Sequence, residues 1–152
     1  MRAIVPSTAR IAALLCLAAA FASADAHDDV IEVVTSLAGA LTEVNVTRFM
    51  AAFSKDMPDY GTIEKDVTAL VNQAEVSSSI QPLTEDGNDQ MYKIDLDWFL
   101  EVRSLEQDGP LVRRREVVHC ELRKDQTRKN KPHWKIVAIK PLDFFALPKL
   151  GQ

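Results

Sequence analysis

Residues 90–103 read Gln-Met-Tyr-Lys-Ile-Asp-Leu-Asp-Trp-Phe-Leu-Glu-Val-Arg, and their alternation decides the fold. Tyr92, Ile94, Leu96, Trp98, Leu100 and Val102 fall on every second position, which in an extended chain puts them on one face. Lys93, Asp95, Asp97, Glu101 and Arg103 take the other face, broken only by Phe99. A strand this long carries more apolar surface than it buries alone, so helices or a second sheet must cover it.

Working outward, the residues before this strand have helical spacing. Asp28 and Asp29 precede an apolar series at Val30, Val33, Val34, Leu37, Leu41 and Val44, and acidic residues suit that end of a helix. Asn45 caps a second helix with Val46, Phe49, Met50 and Phe53 as its stripe; Asn45-Val46-Thr47 is also a glycosylation sequon, but the cap is the better reading. Met57-Pro58-Asp59-Tyr60-Gly61 is a turn, after which Thr62 starts a third helix facing inward through Ile63, Val67, Leu70, Val71 and Ala74. Val76, Ser78 and Ile80 alternate through a short strand that Pro82 ends. The acidic stretch Glu85–Asp89 reads as a hairpin turn, because its spacing lacks the pattern of a calcium-binding EF-hand loop.

Beyond the central strand, Gly109-Pro110 punctuates a polar connection to a strand over residues 111–123. Residues 128–131 form a basic turn, and Trp134 to Lys140 make a last strand closed by Pro141. Three helices followed by about four strands on hairpin-length loops imply an α+β domain with a curved antiparallel sheet. The domain is expected over residues 28–145, with 146–152 as a C-terminal tail.

The first 24 residues read as a secretory leader: Arg2 and Arg10 are positive, Ile11 to Phe21 are apolar, and Ala22-Ser23-Ala24 offers small residues for cleavage. Ala24-Asp25-Ala26 fits almost as well, so the cut follows Ala24 or Ala26 and the mature chain is periplasmic or secreted, without a stable membrane anchor. Losing Arg2 and Arg10 leaves 16 basic against 22 acidic residues, a formal charge of −6. So acidic an exported protein is a poor candidate for nucleic acid. Cys16 leaves with the leader, so Cys120 has no partner for an intramolecular disulfide and reads as a buried, inert thiol.

The element order, with Phe49-Met50-Ala51-Ala52-Phe53, Leu96-Asp97-Trp98-Phe99, Trp134-Lys135-Ile136-Val137 and Pro141-Leu142-Asp143-Phe144-Phe145, resembles the nuclear transport factor 2-like superfamily, which includes ketosteroid isomerase-like and polyketide cyclase-like proteins. The resemblance covers roughly residues 28–145 and is closest to small exported bacterial members without assigned roles. It implies a cone in which the sheet wraps a long helix around an apolar pocket. Fold alone implies no single activity.

Chemistry is sparse. An isomerase-type site needs a carboxylate base and an acid facing an apolar pocket, yet Asp95 and Asp97 alternate away from the apolar face. On the partner strand, the parity of Val118, Cys120 and Leu122 brings Arg114 and Glu116 toward the pocket mouth, where arginine and carboxylate are candidates to pair. A one-residue bulge there swaps every assignment. Tyr60, Trp98, Arg114, Glu116 and Cys120 are therefore the candidate pocket residues. His27, His119 and His133 make no metal-ligand spacing, and no phosphate-cradling glycine loop or nucleophile elbow is present, so neither a metal nor a cofactor is expected. Arg113, Arg114, Arg115, Arg123, Lys124, Arg128, Lys129 and Lys131 make one hairpin basic, a solvated surface first and a site for an acidic partner second. The expectation is a non-catalytic domain binding a small apolar ligand or another protein, with a homodimer through the outer sheet face suggested by Phe99. The alternative is an isomerase, dehydratase or cyclase using Glu116 and Tyr60.

Overall fold

The computed structural model describes residues 9–125 and 133–149, with side chains from Asp25 onward in those ranges except His133. The basic turn at 128–131 lies outside the described residues, as do the leader's side chains. Helix α1 spans Ala9–Thr42, α2 Val46–Met50 and α3 Tyr60–Gln73. The strands are β1 Ala74–Gly87, β2 Met91–Ser104, β3 Leu111–Asp125 and β4 His133–Lys140, followed by a 3-10 turn at Leu142–Phe145. They form one sheet in the order β1-β2-β3-β4, every neighbouring pair antiparallel. This is the expected α+β arrangement: three helices on a four-stranded antiparallel sheet. No helix among the described residues is long and apolar enough to cross a membrane.

The alternation in β2 is realised in full. Tyr92, Ile94, Leu96, Trp98, Leu100 and Val102 are all buried on the concave face, where Val118, Cys120 and Leu122 of β3 join them. Val30, Val34, Leu37 and Leu41 of α1 pack onto that face, and Phe49 of α2 and Ile63, Val67 and Leu70 of α3 complete the core. Burying each such side chain stabilises the fold by about 1.5–3 kcal/mol relative to leaving it in water.

Several boundaries differ from the sequence expectation. Asp28 and Asp29 lie within α1 rather than at its start, because the helix begins in the alanine- and leucine-rich segment before them. Helix α3 begins at Tyr60, two residues before Thr62. Strand β1 does not stop at Pro82: it pairs Pro82 with Leu96, skips a step at Leu83 and Thr84, and resumes with Glu85 opposite Ile94. An edge strand is paired on one side only, so it tolerates both the proline and the bulge. The Asn45 cap is present, its side chain accepting from the Arg48 N–H at 2.9 Å.

Val44 is the largest local departure. It was expected on the buried stripe of α1 but is about half exposed and has φ of 58°. The amide of Asn45 donates to the Ala40 carbonyl at 2.9 Å and that of Val44 to Leu41 at 3.2 Å, which is the Schellman termination of a helix. That motif requires a left-handed residue where glycine is preferred, and here the residue is β-branched. Val44→Gly should therefore raise the thermal midpoint by a few degrees, the strain relieved (about 1–2 kcal/mol) exceeding the added entropy of the unfolded glycine. A lower midpoint in a calorimetric melt would rule out strain at this position.

Candidate functional site

The concave face carries four of the five candidate residues. Trp98 is fully buried and donates its indole N–H to the Ser78 hydroxyl at 2.8 Å. Phe145 meets it edge-on at 5.1 Å between ring centroids, and Phe144 stands at 5.7 Å. Phe49 extends the cluster, 5.6 Å from Phe145 and 5.3 Å from Phe53. The centre of the cone is thus occupied by aromatic rings of the chain itself, each worth roughly 3–5 kcal/mol if truncated to alanine.

Arg114 holds this plug. Its guanidinium donates from Nη1 to the Phe144 carbonyl at 2.8 Å and to the Ala146 carbonyl at 2.5 Å, tying the C-terminal segment to β3. The sequence-stated partner for Arg114 was Glu116, but these two carbonyls take its hydrogen bonds. Glu116 lies opposite Trp98 in the β2–β3 register, yet its side chain is exposed, because that end of the sheet has no helix over it. Cys120 is deep in the core between Ile94 and Ile139 on the neighbouring strands. Burial, with a smaller contribution from the Asp95 charge, pushes its thiol up to about 12, so it is not a thiolate at neutral pH.

Tyr60 is elsewhere. It lines an open cleft of about 1640 Å³ between the segment from α2 to the start of α3 and the paired ends of β3 and β4. That segment is fastened to the sheet edge: the Ile136 amide donates to Ala52 O at 2.8 Å and the Ser54 amide to Ile136 O at 2.9 Å. Met50, Phe53 and Met57 form an apolar floor, and Lys55, Arg123, Lys124 and Lys135 stand around it. No motif marks this cleft in the sequence, since its walls are 70 residues apart. The plug did leave a signal: adjacent Phe144 and Phe145 directly after the last strand, in a chain with only six phenylalanines.

At the far end of the sheet, His27 Nδ1 lies 2.9 Å from Glu85 and 3.4 Å from the Tyr92 hydroxyl, joining α1 to the β1–β2 hairpin. Burial first, then the Glu85 charge, pushes the Tyr92 phenol up. Trp134, packed edge-on to Tyr92 at 6.1 Å, has a buried indole N–H without a partner. Among the described residues no group of three His, Cys, Asp or Glu side chains is placed to hold a metal ion.

The convex face is a ladder of ion pairs between β2 and β3: Lys93 with Glu121, Asp95 with His119, Asp97 with Arg115, and Glu101 with Arg113. Exposed pairs of this kind contribute about 0–1 kcal/mol each. Hydrogen bonds from His119, then Thr84, hold the Asp95 carboxyl below its usual value, and those from Arg115 do the same for Asp97.

No protein-family model matches the chain, and no curated protein matches its sequence. Solved structures do match its shape. A conserved protein from Planctomyces limnophilus is 8% identical, covers 76% of this chain and 93% of its own, and superposes with a TM-score of 0.67. A scytalone dehydratase-type protein from Novosphingobium aromaticivorans gives 0.64 at 10% identity, covering 74% of this chain and 80% of its own. A dehydratase-type protein of the nuclear transport factor 2-like family from Streptomyces avermitilis gives 0.60 at 11%, covering 74% and 92%. The chain has the nuclear transport factor 2-like fold, as the sequence resemblance implied.

The Asp97–Arg115 pair makes a pH prediction. A carboxyl whose folded-state pKa lies below its ordinary 3.8 adds stability that is present above that value and lost as pH falls through the lower one. The wild-type chain should therefore melt above Asp97→Asn at about pH 6, and the two should converge by about pH 3 in circular-dichroism melts. A gap unchanged across that range would mean that the pair does not form.

Proposed function

We propose that this chain is a non-catalytic binding domain whose partner occupies the open cleft rather than the concave face. The observation that carries the reading is the aromatic plug: Phe144 and Phe145 fill the space over Trp98 in which a small apolar ligand would lie. The cleft is also larger than the roughly 300–1,000 Å³ of typical small-molecule sites, which favours a polypeptide segment over a compact ligand. The leader-like first 24 residues add that the domain works outside the cytoplasm.

The enzymatic alternative, an isomerase, dehydratase or cyclase, draws on the likeness to dehydratase-type structures, which is a likeness of fold. It requires Glu116 and Tyr60 to act on one substrate. Tyr60 lines the cleft and Glu116 does not, and Glu116 is solvated rather than set in an apolar pocket. A heteronuclear NMR titration with peptides and small aromatic fragments separates the readings. Shifts should gather at Tyr60, Met57 and Val137; a set of hits centred on the Trp98 indole, Arg114 and Glu116 would return the site to the cone.

A homodimer through the convex face is the second element of the proposal. Val117 is nearly half exposed there, across from Asp97 and beside half-buried Phe99 in a surface whose charges are otherwise paired. Light scattering coupled to size exclusion should give twice the monomer mass for the wild-type chain and the monomer mass for Val117→Lys. A wild-type monomer at high concentration would remove the dimer without touching the cleft.

A further inference from the structure

The charges around the cleft are not balanced by one another. Lys55, Arg123 and Lys124 make no ion pair with any described residue, and the Lys135 ammonium donates to a neutral acceptor, the Ala51 carbonyl at 2.5 Å. On the acidic side, Glu121 is engaged by Lys93 at 3.4 Å and Asp125 has its own partner, leaving Asp56 and Glu64. Four uncompensated cations therefore face two uncompensated carboxylates. The asymmetry is notable in a chain whose formal charge is −4 and whose β2–β3 face pairs its charges one to one.

The cations also stand where an extended ligand would need them. Lys55 rises from the α2–α3 segment, while Arg123, Lys124 and Lys135 rise from the two strands across the cleft. Between them lie Met50, Phe53 and Met57, whose bodies belong to the core, and Met side chains adapt to varied apolar partners. Half-buried Tyr60 adds an aromatic wall with a polar tip. A basic rim over an apolar floor matches a chain that alternates carboxylates with apolar side chains, the first meeting the rim and the second the floor.

We infer that the cleft recognises an acidic, extended polypeptide segment with interspersed apolar residues. This rests on the cleft reading of function and names its ligand class. A nucleic acid shares the negative charge, but the net negative charge of this chain opposes a polyphosphate, and Tyr60 is the one aromatic side chain on the cleft wall open for base stacking.

The test uses the full chain and fluorescein-labelled twelve-residue peptides followed by anisotropy. One peptide alternates glutamate with leucine, one alternates lysine with leucine, and a labelled single-stranded oligonucleotide is the third probe. The glutamate–leucine peptide should bind, weaken as salt rises, and lose about tenfold or more with the double variant Arg123→Glu, Lys124→Glu. Arg103→Glu, at the opposite end of the sheet, should change binding by less than about twofold. Circular dichroism checks that each variant is folded, and the salt dependence of the wild-type chain stands as evidence without any variant. Equal binding of both peptides, insensitive to the double variant, would overturn the acidic specificity while leaving a peptide-binding cleft. Tighter binding of the oligonucleotide would overturn the polypeptide class. Failure of every probe, with fragments instead shifting Trp98 in the NMR titration, would overturn the cleft reading itself.

Discussion

The burial of Trp98 is the constraint on which the rest of the structure depends. It is the largest fully buried side chain, and its indole N–H must find an acceptor or cost about 1–3 kcal/mol. Ser78, on the neighbouring edge strand, supplies that acceptor. The Ser78 amide in turn donates to the Thr42 hydroxyl at the end of α1, at 3.2 Å. One short chain of hydrogen bonds thus joins β2, β1 and the long helix around a single ring. The polar N–H fixes which residues sit opposite each other, and the ring supplies the apolar area that the helices must cover.

What lies over that ring sets the functional argument. A cone-shaped fold with an empty mouth invites a small apolar ligand, and the fold neighbours include dehydratase-type proteins. In this chain the mouth is closed by Phe144 and Phe145, with Arg114 holding two carbonyls of the same segment. An arginine spent on backbone carbonyls is a structural group, because its charge is committed to positioning the plug rather than to a reacting molecule. The surface left for recognition is then the cleft beside the cone and the charged convex sheet.

The two surfaces differ in their electrostatics. On the convex sheet, opposite charges face each other across β2 and β3, so little field escapes and Phe99 with Val117 is the least polar spot. At the cleft, cations from separate elements stand without local acids and project a field outward. The first arrangement suits a self-complementary contact, the second a partner of opposite charge.

Sheet, core and face were legible because strand alternation is a local property: the even residues of 92–102 are apolar whatever surrounds them, and all are buried. Val44 and Pro82 misled for an equally physical reason. Helical periodicity continues through Val44 although hydrogen bonding already ends the helix, and proline stops a strand only where both sides are paired. Of the candidate residues, Trp98 and Cys120 were placed on the concave face by parity, and Arg114 and Glu116 at its mouth; none of this told which rings would fill it. By itself the sequence determined the fold class, the strand that organises it and the inward face, all set by spacing along the chain. Tertiary structure alone decided that the C-terminal aromatics plug the cone, that Tyr60 and Glu116 are apart, and that Lys55 meets Arg123 and Lys124 around one cleft. Those are contacts between residues tens of positions apart, and only chain folding chooses which of them meet.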